Sequence, residues 1–599
     1  MINFSHTVFG WRSELFVSKL HRSIPATTKG LKKAIFALAI ASSTYAKAIE
    51  AQTNPIPPKL PNPSEFNPKP NPQPTTEPSK LPSPDRLLLP TAPQTPEIPN
   101  NNTTESIFVK KFEVIGSSVF SDEELAKITE PYSNKSISIS ELFQVRTKIT
   151  ELYLSKGYIT SGAYIPEQDL QSGIVKIQIV EGGLEEIKVT GLTRLNQGYV
   201  QSRIEIGTQK PLNRIRLLET LQLLQINPLI ESISANLSPG SQPGLNNLEV
   251  KVTEAKTFSA PVTLDNSGTP SVGTDRRQVE LAEANLTGLG DRLSLKYINS
   301  TGSNSTSASY TIPFNPYNGT ISFSFGTSAS NVIKPPFDIL NIVSNSKNYD
   351  LTIRQPFLQS TSQDFALGLT FSHSISAAYL LGGEIPYPTN GCDCNNGITK
   401  ISALRFFQEY VQRSSEEVFA ARSQLSLGIN AFGSTINPIS PDSQFLSWRG
   451  QAQYVRLLAP ETLLLLRTDL QFADRPLLSQ EQISFGGQDT LRGFAQNAVL
   501  SDNGLLFSAE VRIPIMHIPE INGLLQIAPF FDFGEAWNYN ASTNPDPSTL
   551  ASVGMGLRFQ MSDRLTARLD WGIPLSRISG DKQTLQERGL YFSLVANPF

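Results

Sequence analysis

The C-terminal part of the chain, residues 257–599, alternates apolar and polar side chains in short segments separated by Gly, Asn, Ser, Asp and Pro. In residues 463–472 (LLLLRTDLQF), one face has Leu464, Leu466, Leu470 and Phe472, and the other has Leu465, Arg467, Asp469 and Gln471. Residues 505–513 and 565–573 repeat this arrangement, again with full charges on the polar face. A period of two predicts β-strands that each have one apolar face and one polar face.

The charges on the polar faces decide between two kinds of β fold. Alternation alone also fits a soluble β-sandwich, but apolar-out, charged-in strands are typical of an outer-membrane barrel with a wet interior. At about 20 residues per strand and connection, this region accommodates roughly 16 strands, and a parse from FSAPVTLDNSG to LYFSLVANPF also finds 16. We therefore predict a mainly β protein built around an antiparallel outer-membrane barrel of about 16 strands.

The N-terminal segment, residues 1–48, predicts export from the cytoplasm. A polar lead is followed by a basic stretch around Lys32, by the short apolar run 34–41, and by an A-x-A site at Ala46 and Ala48. This order is typical of a secretory signal peptide, because the apolar run is far too short to cross a bilayer. No other stretch has the roughly 20 apolar residues of a spanning helix, so a membrane location requires a closed barrel.

Residues 49–105 form a proline-rich segment. Such a composition buries too little apolar surface to fold and predicts an extended, semi-rigid linker. The motif RLLLP at residues 86–90 interrupts it. Two interpretations stay open for this motif: a short docking element, or an unstructured apolar patch.

Residues 106–183 predict a small α+β unit. FVKKFEVIG reads as a strand ending at Gly116, and Ser121 with Glu124 predicts a capping box at the start of a helix. A second amphipathic helix begins near Ser140 and is closed by Gly157. YITSGAYIP and GIVKIQIVEG then read as two strands. The predicted order is strand, helix, helix, strand, strand.

Residues 184–256 repeat this pattern weakly. LEEIKVTG is a strand ending at Gly191, LNRIRLLETLQLLQ is an amphipathic helix, and IESISANLSPG and NNLEVKVTEA are strands. The openings FEVIG and IKVTG are the clearest similarity between the two units. A repeated unit of this size predicts two similar domains in tandem.

Composition and motif content argue against several classes of function. The net charge of −3 argues against a nucleic-acid binder held by a basic surface. With 4 His and 2 Cys, the chain offers little for a metal site. The cysteines, Cys392 and Cys394, form either a local loop disulfide or two free thiols. We find no nucleophile–base arrangement and no phosphate-binding loop, so we expect no catalytic residues, no cofactor and no metal.

Several stretches in the expected order carry a family resemblance. FEVIGSSVFSDEEL, SANLSPGSQPGLNNLEVKVTEA, FGGQDTLRGF and PFFDFG are similar to the outer-membrane transporters of two-partner secretion, of the FhaC/ShlB/HecB type, within the superfamily that includes BamA. The resemblance implies that residues 106–183 and 184–256 are two periplasmic POTRA domains, the first of the ShlB type. It also implies that residues 257–599 form the transmembrane barrel.

The same resemblance assigns candidate site residues. GGQDTLRGF, between the eleventh and twelfth predicted strands, resembles the loop-6 motif of the superfamily, here Leu491, Arg492, Gly493 and Phe494. In the family this loop folds back into the barrel, and its arginine pairs with an aspartate of the inner wall, here Asp532. The alternation in LLQIAPFFDFG independently points Asp532 into the lumen, where we expect a wet pair of modest strength. The alternative is an exposed hairpin with an incidental arginine.

The resemblance implies export of a TpsA-type exoprotein, related to hemolysins and adhesins, which the POTRA domains recognise unfolded. The implied partners are this exoprotein, outer-membrane lipid and the barrel-assembly machinery that inserts the protein; nucleic acid is not among them. Two alternatives stay open: a general barrel-assembly or protein-import factor of the same superfamily, and a passive porin. The family often has an N-terminal plug helix, which the prolines within residues 49–60 make doubtful.

Overall fold

The computed structural model describes four ranges of the chain: residues 88–89, 106–387, 396–578 and 582–598. Several predictions fall outside these ranges, namely the signal peptide at 1–48, nearly all of the linker at 49–105, and the pair Cys392 and Cys394. Within the described ranges, no helix has the length and apolar character that crossing a bilayer requires.

The first α+β unit has two small sheets and two helices around one apolar core. Its elements are β2 (Ser106–Val109), β3 (Lys111–Ile115), α1 (Asp122–Thr129), β4 (Lys135–Ser138), α2 (Ile139–Ser155), β5 (Gly162–Tyr164) and β6 (Ile174–Val180). Strand β6 lies between β3 and β5, and β2 pairs with β4. The predicted helices are present, and each begins with a capping box, Ser121 with Glu124 and Ser138 with Glu141.

The predicted strand FVKKFEVIG is wrong in one respect, because it is two strands divided at Lys110. The backbone N–H of Lys110 donates to the carbonyl of Gly173, 2.7 Å away. Before this break β2 pairs antiparallel with β4, and after it β3 pairs parallel with β6. Strand β4, which sequence analysis missed, is only four residues long and runs directly into the cap of α2.

The second α+β unit follows without a linker. Its elements are β7 (Gly183–Thr190), α3 (Gln197–Gly207), α4 (Arg214–Gln225), β8 (Ile230–Pro239) and β9 (Leu245–Glu254). Helix α3 was not predicted, because its buried Arg203 interrupts the apolar pattern. Strand β1 (Leu88–Leu89), within RLLLP, pairs in parallel with Ala235 and Asn236 of β8. This pairing favours the docking interpretation of the motif.

The rest of the described chain forms one antiparallel sheet that closes on itself. Its strands are β10 (Phe258–Ser259), β11 (Val262–Asp265), β12 (Arg276–Ala284), β13 (Arg292–Asn299), β14 (Ser303–Pro313), β15 (Thr320–Asn331), β16 (Val343–Gln359), β17 (Gln363–Leu380), β18 (Ile385–Pro386), β19 (Ile398–Arg413), β20 (Glu417–Ile429), β21 (Leu446–Ala459), β22 (Thr462–Ala473), β25 (Asn503–Ile518), β26 (Gly523–Trp537), β27 (Thr549–Met561), β28 (Leu565–Pro574) and β29 (Leu590–Ala596). Two further strands, β23 (Ile483–Phe485) and β24 (Val499–Ser501), pair only with each other.

The closed barrel has 16 strands, as predicted. Both β10 and β11 pair with β12 and act as one interrupted first strand, while the two-residue β18 extends the pairing of β17. Pairing of β11 with β29, from Val262 opposite Ala596 to Asp265 opposite Ser593, closes the barrel. Closure removes both sheet edges, so every strand of the wall has two neighbours.

The two faces of the wall differ as the alternation predicted. In β22, Asp469 and Gln471 point inward and are 6% and 4% exposed, whereas the neighbouring Phe472 points outward and is 48% exposed. Leucine and isoleucine side chains of the outer faces, such as Leu351 and Ile353, are similarly exposed. An apolar outer surface and charged inner faces are the pattern of a membrane barrel.

The capping box at the start of helix α2 can be tested by substitution. The Ser138 hydroxyl accepts the N–H of Glu141 at 3.2 Å, and the Glu141 carboxylate accepts the N–H of Ser138 at 2.7 Å. Ser138→Ala should therefore destabilise the unit by about 1 kcal/mol, measured by urea unfolding of a 106–256 fragment. The exposed Ser140→Ala is the matched control, and an equal loss in both variants would contradict the capping role.

Candidate functional site in the barrel lumen

The loop between β22 and β25, residues 474–502, folds into the barrel. We refer to it as loop 6, since it is the sixth connection at the end of the barrel opposite the α+β units. It joins the eleventh and twelfth barrel strands, as predicted, and contains the β23–β24 hairpin. Its apolar side chains form a core with residues of the inner wall. This core consists of Ile483, Phe485, Leu491, Phe494, Val499, Leu506, Ala536 and Leu550.

Small residues on the wall make room for the tip of loop 6. A Cβ on Gly572 of β28 would lie only 2.5 Å from the backbone nitrogen of Gly493, and one on Gly534 of β26 would overlap Leu491. Gly493 itself has a φ of 97°, a conformation that favours glycine. The backbone of the loop therefore approaches the wall more closely than larger residues would allow.

The structure brings Arg492 and Asp532 together. Arg492 Nε donates to Asp532 Oδ2 and Nη2 donates to Oδ1, both at 2.8 Å, so the pair is bidentate. The backbone N–H of Arg492 also donates to Asp532 Oδ2 at 3.0 Å. Three donors from one residue fix the loop backbone as well as the side chain.

Arg492 makes contacts beyond those that the sequence suggested. Its Nη1 donates to Glu510 of β25, and its Nη2 donates to the hydroxyl of Ser508 at 3.2 Å. The guanidinium carbon lies 3.4 Å from the centre of the Phe530 ring, in cation–π geometry. Asp570 of β28 lies 3.8 Å from Nη1. The arginine is thus held from three strands of the wall.

The expectation of a wet and weak ion pair was wrong. Arg492 is 3% exposed and Asp532 is fully buried, because the apolar core of loop 6 and the wall cover them. A buried pair differs from a surface pair, since removing one partner leaves an uncompensated charge at a cost of about 3–5 kcal/mol. Asp532 therefore depends on Arg492, whereas Arg492 also has Glu510 as a partner.

Two backbone groups of loop 6 form hydrogen bonds with a tyrosine that the sequence did not predict. The fully buried Tyr591 of β29 donates its hydroxyl to the carbonyl of Phe494 at 2.6 Å and accepts the N–H of Gly493 at 2.8 Å. Phe494 itself is buried in the loop 6 core. The motif residues thus contact both the strand of Asp532 and the last strand of the barrel.

The ion pair belongs to a wider charged network on the inner wall. Arg558 Nη2 lies 3.0 Å from Glu510 and 2.7 Å from Asp570. Arg568 lies 2.6 Å from Asp570 and 3.2 Å from Asp489 at the loop tip. The alternation in the sequence predicted that Glu510, Arg568 and Asp570 lie on inner faces of the barrel. It could not predict which of these residues contact loop 6.

The base of loop 6 is tied to the opposite part of the wall. Glu481 receives two hydrogen bonds of 2.9 Å from the guanidinium of Arg405 on β19. Loop 6 therefore extends from the eighth barrel strand to the strands around Asp532. Within the described residues, no cluster of His, Cys, Asp and Glu is suited to a metal ion, and the contacts of the site hold a loop in place.

A closed barrel of 16 strands whose lumen holds its own external loop, joined at its N-terminal side to α+β units, defines an outer-membrane transporter for polypeptides. The family described as haemolysin secretion/activation protein ShlB/FhaC/HecB matches residues 244–559, and the POTRA domain of the ShlB type matches residues 107–182. The first match covers more than half of the chain, so the chain belongs to this family. It is an outer-membrane protein, and the POTRA domains of its family are periplasmic.

Two curated relatives and one solved structure illustrate the similarity. The heme/hemopexin transporter protein HuxB of Haemophilus influenzae (strain 86-028NP) is 25% identical over 73% of this chain and 78% of its own length. The outer membrane transporter CdiB of Dickeya dadantii (strain 3937) is 22% identical over 74% and 77%. CdiB from Escherichia coli matches the fold with a TM-score of 0.63 and 22% identity, over 84% of this chain and 93% of that chain.

The geometry of Arg492 leads to a prediction about substitutions. Arg492→Ala should sharply reduce export of the partner protein while the barrel still inserts, because Asp532 loses its ion pair and the loop tip is released. Arg492→Lys should restore little, since an ammonium cannot reproduce the bidentate contact. Asp532→Ala should give a milder defect than Arg492→Ala, because Glu510 and Phe530 still hold the arginine. The measurement is export at matched outer-membrane levels.

Arg475→Ala is the matched control for this series. Arg475 lies in the same loop, but its side chain is 41% exposed and its ion pair with Asp474 is at the surface, where such pairs contribute little. It should export normally. Normal export by Arg492→Ala would show that the buried pair is not the functional contact.

Proposed function

We propose that the protein recognises an unfolded exoprotein of the TpsA type in the periplasm and conducts it through the barrel to the cell surface. Its membership of a secretion family supports transport of a polypeptide. The observation that carries the proposal is the buried anchoring of loop 6 inside a closed barrel. Such anchoring fits a barrel that opens for its substrate, because the buried ion pair must break before the loop can leave.

We assign the parts of the chain as follows in this proposal. Residues 1–48 are the signal peptide, 49–105 the linker, 106–183 and 184–256 the two POTRA domains, and 257–599 the barrel. The assignment of the second POTRA domain is supported by its sheet, in which β9 lies between β7 and β8 just as β6 lies between β3 and β5 in the first. Both units also carry two helices between their first and last strands.

Recognition of an unfolded chain would use a strand edge. Strand β8 spans Ile230–Pro239, and β1 adds to its outer edge as a short parallel strand, so this edge accepts an extended segment. An added strand is bound by main-chain hydrogen bonds, which make little demand on the sequence of the partner. This suits a transporter that must bind an extended segment of a large exoprotein.

The second unit is positioned to pass such a segment to the barrel. Arg194 lies 3.0 Å from Glu283 of β12, and Arg203 donates to Asn318, in the turn between β14 and β15, at 3.0 Å. The N–H of Asn196 donates to the carbonyl of Gly288 at 2.8 Å. These contacts fix the unit against the periplasmic turns, so a bound segment would lie beside the barrel entrance.

The remaining partners follow from the surface and the motif content. The apolar outer faces of the barrel fit outer-membrane lipid, and a barrel of this kind requires the barrel-assembly machinery for insertion, as the family resemblance implies. The sequence has no phosphate-binding loop for ATP, so folding of the exoprotein outside the cell would give transport its direction. We infer that Arg492 and Asp532 keep loop 6 in the position from which secretion begins.

The two alternative functions make different demands on the chain. A passive porin has no use for two periplasmic α+β units. A general assembly or import factor of the superfamily usually carries more than two such units, and membership of the secretion/activation family favours export. A neighbouring gene for a large exoprotein with a secretion-signal domain would support export directly.

Deletion of residues 106–183 tests recognition by the first POTRA domain. We expect export to be lost and the barrel to remain inserted, because the wall closes its own hydrogen bonds without the periplasmic units. Insertion is measured by heat-modifiable migration in gels, and export by the amount of exoprotein in the medium. Export at the normal level from an inserted deletion variant would place recognition elsewhere.

A further inference from the structure

Arg467 lies in the barrel lumen but takes no part in the network of ion pairs on the inner wall. It lies on β22 and points inward, next to the loop 6 tip. In the part of the chain that the structure describes, its guanidinium forms no ion pair, and its buried Nε has no hydrogen-bond partner. This half-buried arginine is therefore available to pair with another carboxylate of the lumen.

The register of the wall aligns Arg467 with Asp532. Arg467 lies opposite Ser508 of β25, and Ser508 lies opposite Asp532 of β26. All three side chains point into the lumen. Two strand spacings separate the arginine from the aspartate, roughly 10 Å between their backbones, a gap that the two extended side chains together can span.

Arg492 now occupies the place that Arg467 would need. Both arginines line one cavity, together with Ser508 and Glu510. A neighbouring pocket that opens to the lumen is also lined by Arg467 and Ser508. Like charges repel in a low-dielectric site, so the seated Arg492 excludes Arg467 from Asp532.

Asp532 depends on a single cation. Among the described residues, Arg492 is its only ion-pair partner. The other arginines of the cluster are already engaged: Arg512 with Glu510, and Arg558 and Arg568 with Asp570. If loop 6 leaves, Asp532 therefore loses its ion-pair partner, and Arg467 is the arginine of this cluster that remains available to replace Arg492.

A polypeptide that passes through this lumen needs the volume that loop 6 fills. We propose that Arg467 is the substitute counter-ion of Asp532, which pairs with the aspartate when Arg492 departs and so stabilises the barrel with its loop released. This inference rests on the proposed role of the loop in export. Arg467 acts as a positioning residue, because it neutralises the wall and does not bind the exported chain.

The first test is a thermodynamic cycle on the full-length protein, with the temperature of heat-modified migration as readout. Arg467→Ala alone should leave this temperature unchanged, since the seated loop still neutralises Asp532. In the Arg492→Ala background the same substitution should lower it, and the double variant should lose clearly more than the two single losses together. Additive losses would overturn the proposal.

The second test measures export. Arg467→Ala should reduce the export rate roughly tenfold, as expected for coupling of the usual size between neighbouring charges, and Arg467→Lys should restore part of it. Gln453→Ala is the matched control, because Gln453 lies opposite Arg467 on β21, on the side away from Asp532. Equal export by the Arg467→Ala and Gln453→Ala variants would overturn the proposal.

A structure of the Arg492→Ala variant gives the direct test. We expect a guanidinium nitrogen of Arg467 within about 3 Å of an Asp532 oxygen, and an Arg467 that remains turned away would overturn the proposal. These experiments distinguish a failure of the proposed loop function from a failure of the role proposed for Arg467. Normal export by Arg492→Ala would refute the proposed function of the loop, whereas additive stability losses with impaired Arg492→Ala export would refute only the substitution by Arg467.

Discussion

A carboxylate buried in the wall of the barrel needs a permanent counter-charge, and Asp532 imposes this constraint on the whole lumen. It is fully buried, and one residue of an external loop, Arg492, supplies its ion pair. The free energy of leaving such a charge unpaired is several kcal/mol, which is a large share of the stability of a folded chain. The loop that covers Asp532 must therefore bring the counter-charge with it, and other features of the lumen hold the loop there.

The residues that hold loop 6 inside the barrel come from distant parts of the chain. Gly572 allows the backbone of Gly493 to lie against the wall. Tyr591 binds the N–H of Gly493 and the carbonyl of Phe494. Arg405 holds the base of the loop from the far side of the barrel. Because the loop is anchored at its base and at its tip, its departure requires several contacts to break together.

Local sequence patterns predicted much of the fold. Both capping boxes involve neighbours three residues apart, and the one at Ser121 was predicted directly. The strand count of the barrel followed from a period of two, which each strand displays by itself. The errors arose where pairing overrode the local pattern: the break at Lys110 exists because its two flanking strands join different sheets. Helix α3 was missed because a buried Arg203 serves the contact with the barrel.

For the site, the sequence by itself determined the motif around Arg492 and, through the alternation in β26, the inward direction of Asp532. It also placed Glu510 and Asp570 on inner faces, since the side-chain period of a strand is fixed by its backbone. Only the tertiary structure decided that the pair is buried, that Glu510 shares the arginine and that Tyr591, 98 residues beyond Gly493, clamps the loop. The physical reason is that periodicity gives the face of a strand on which a charge lies, whereas barrel closure and loop packing determine which charges meet and how much water remains between them.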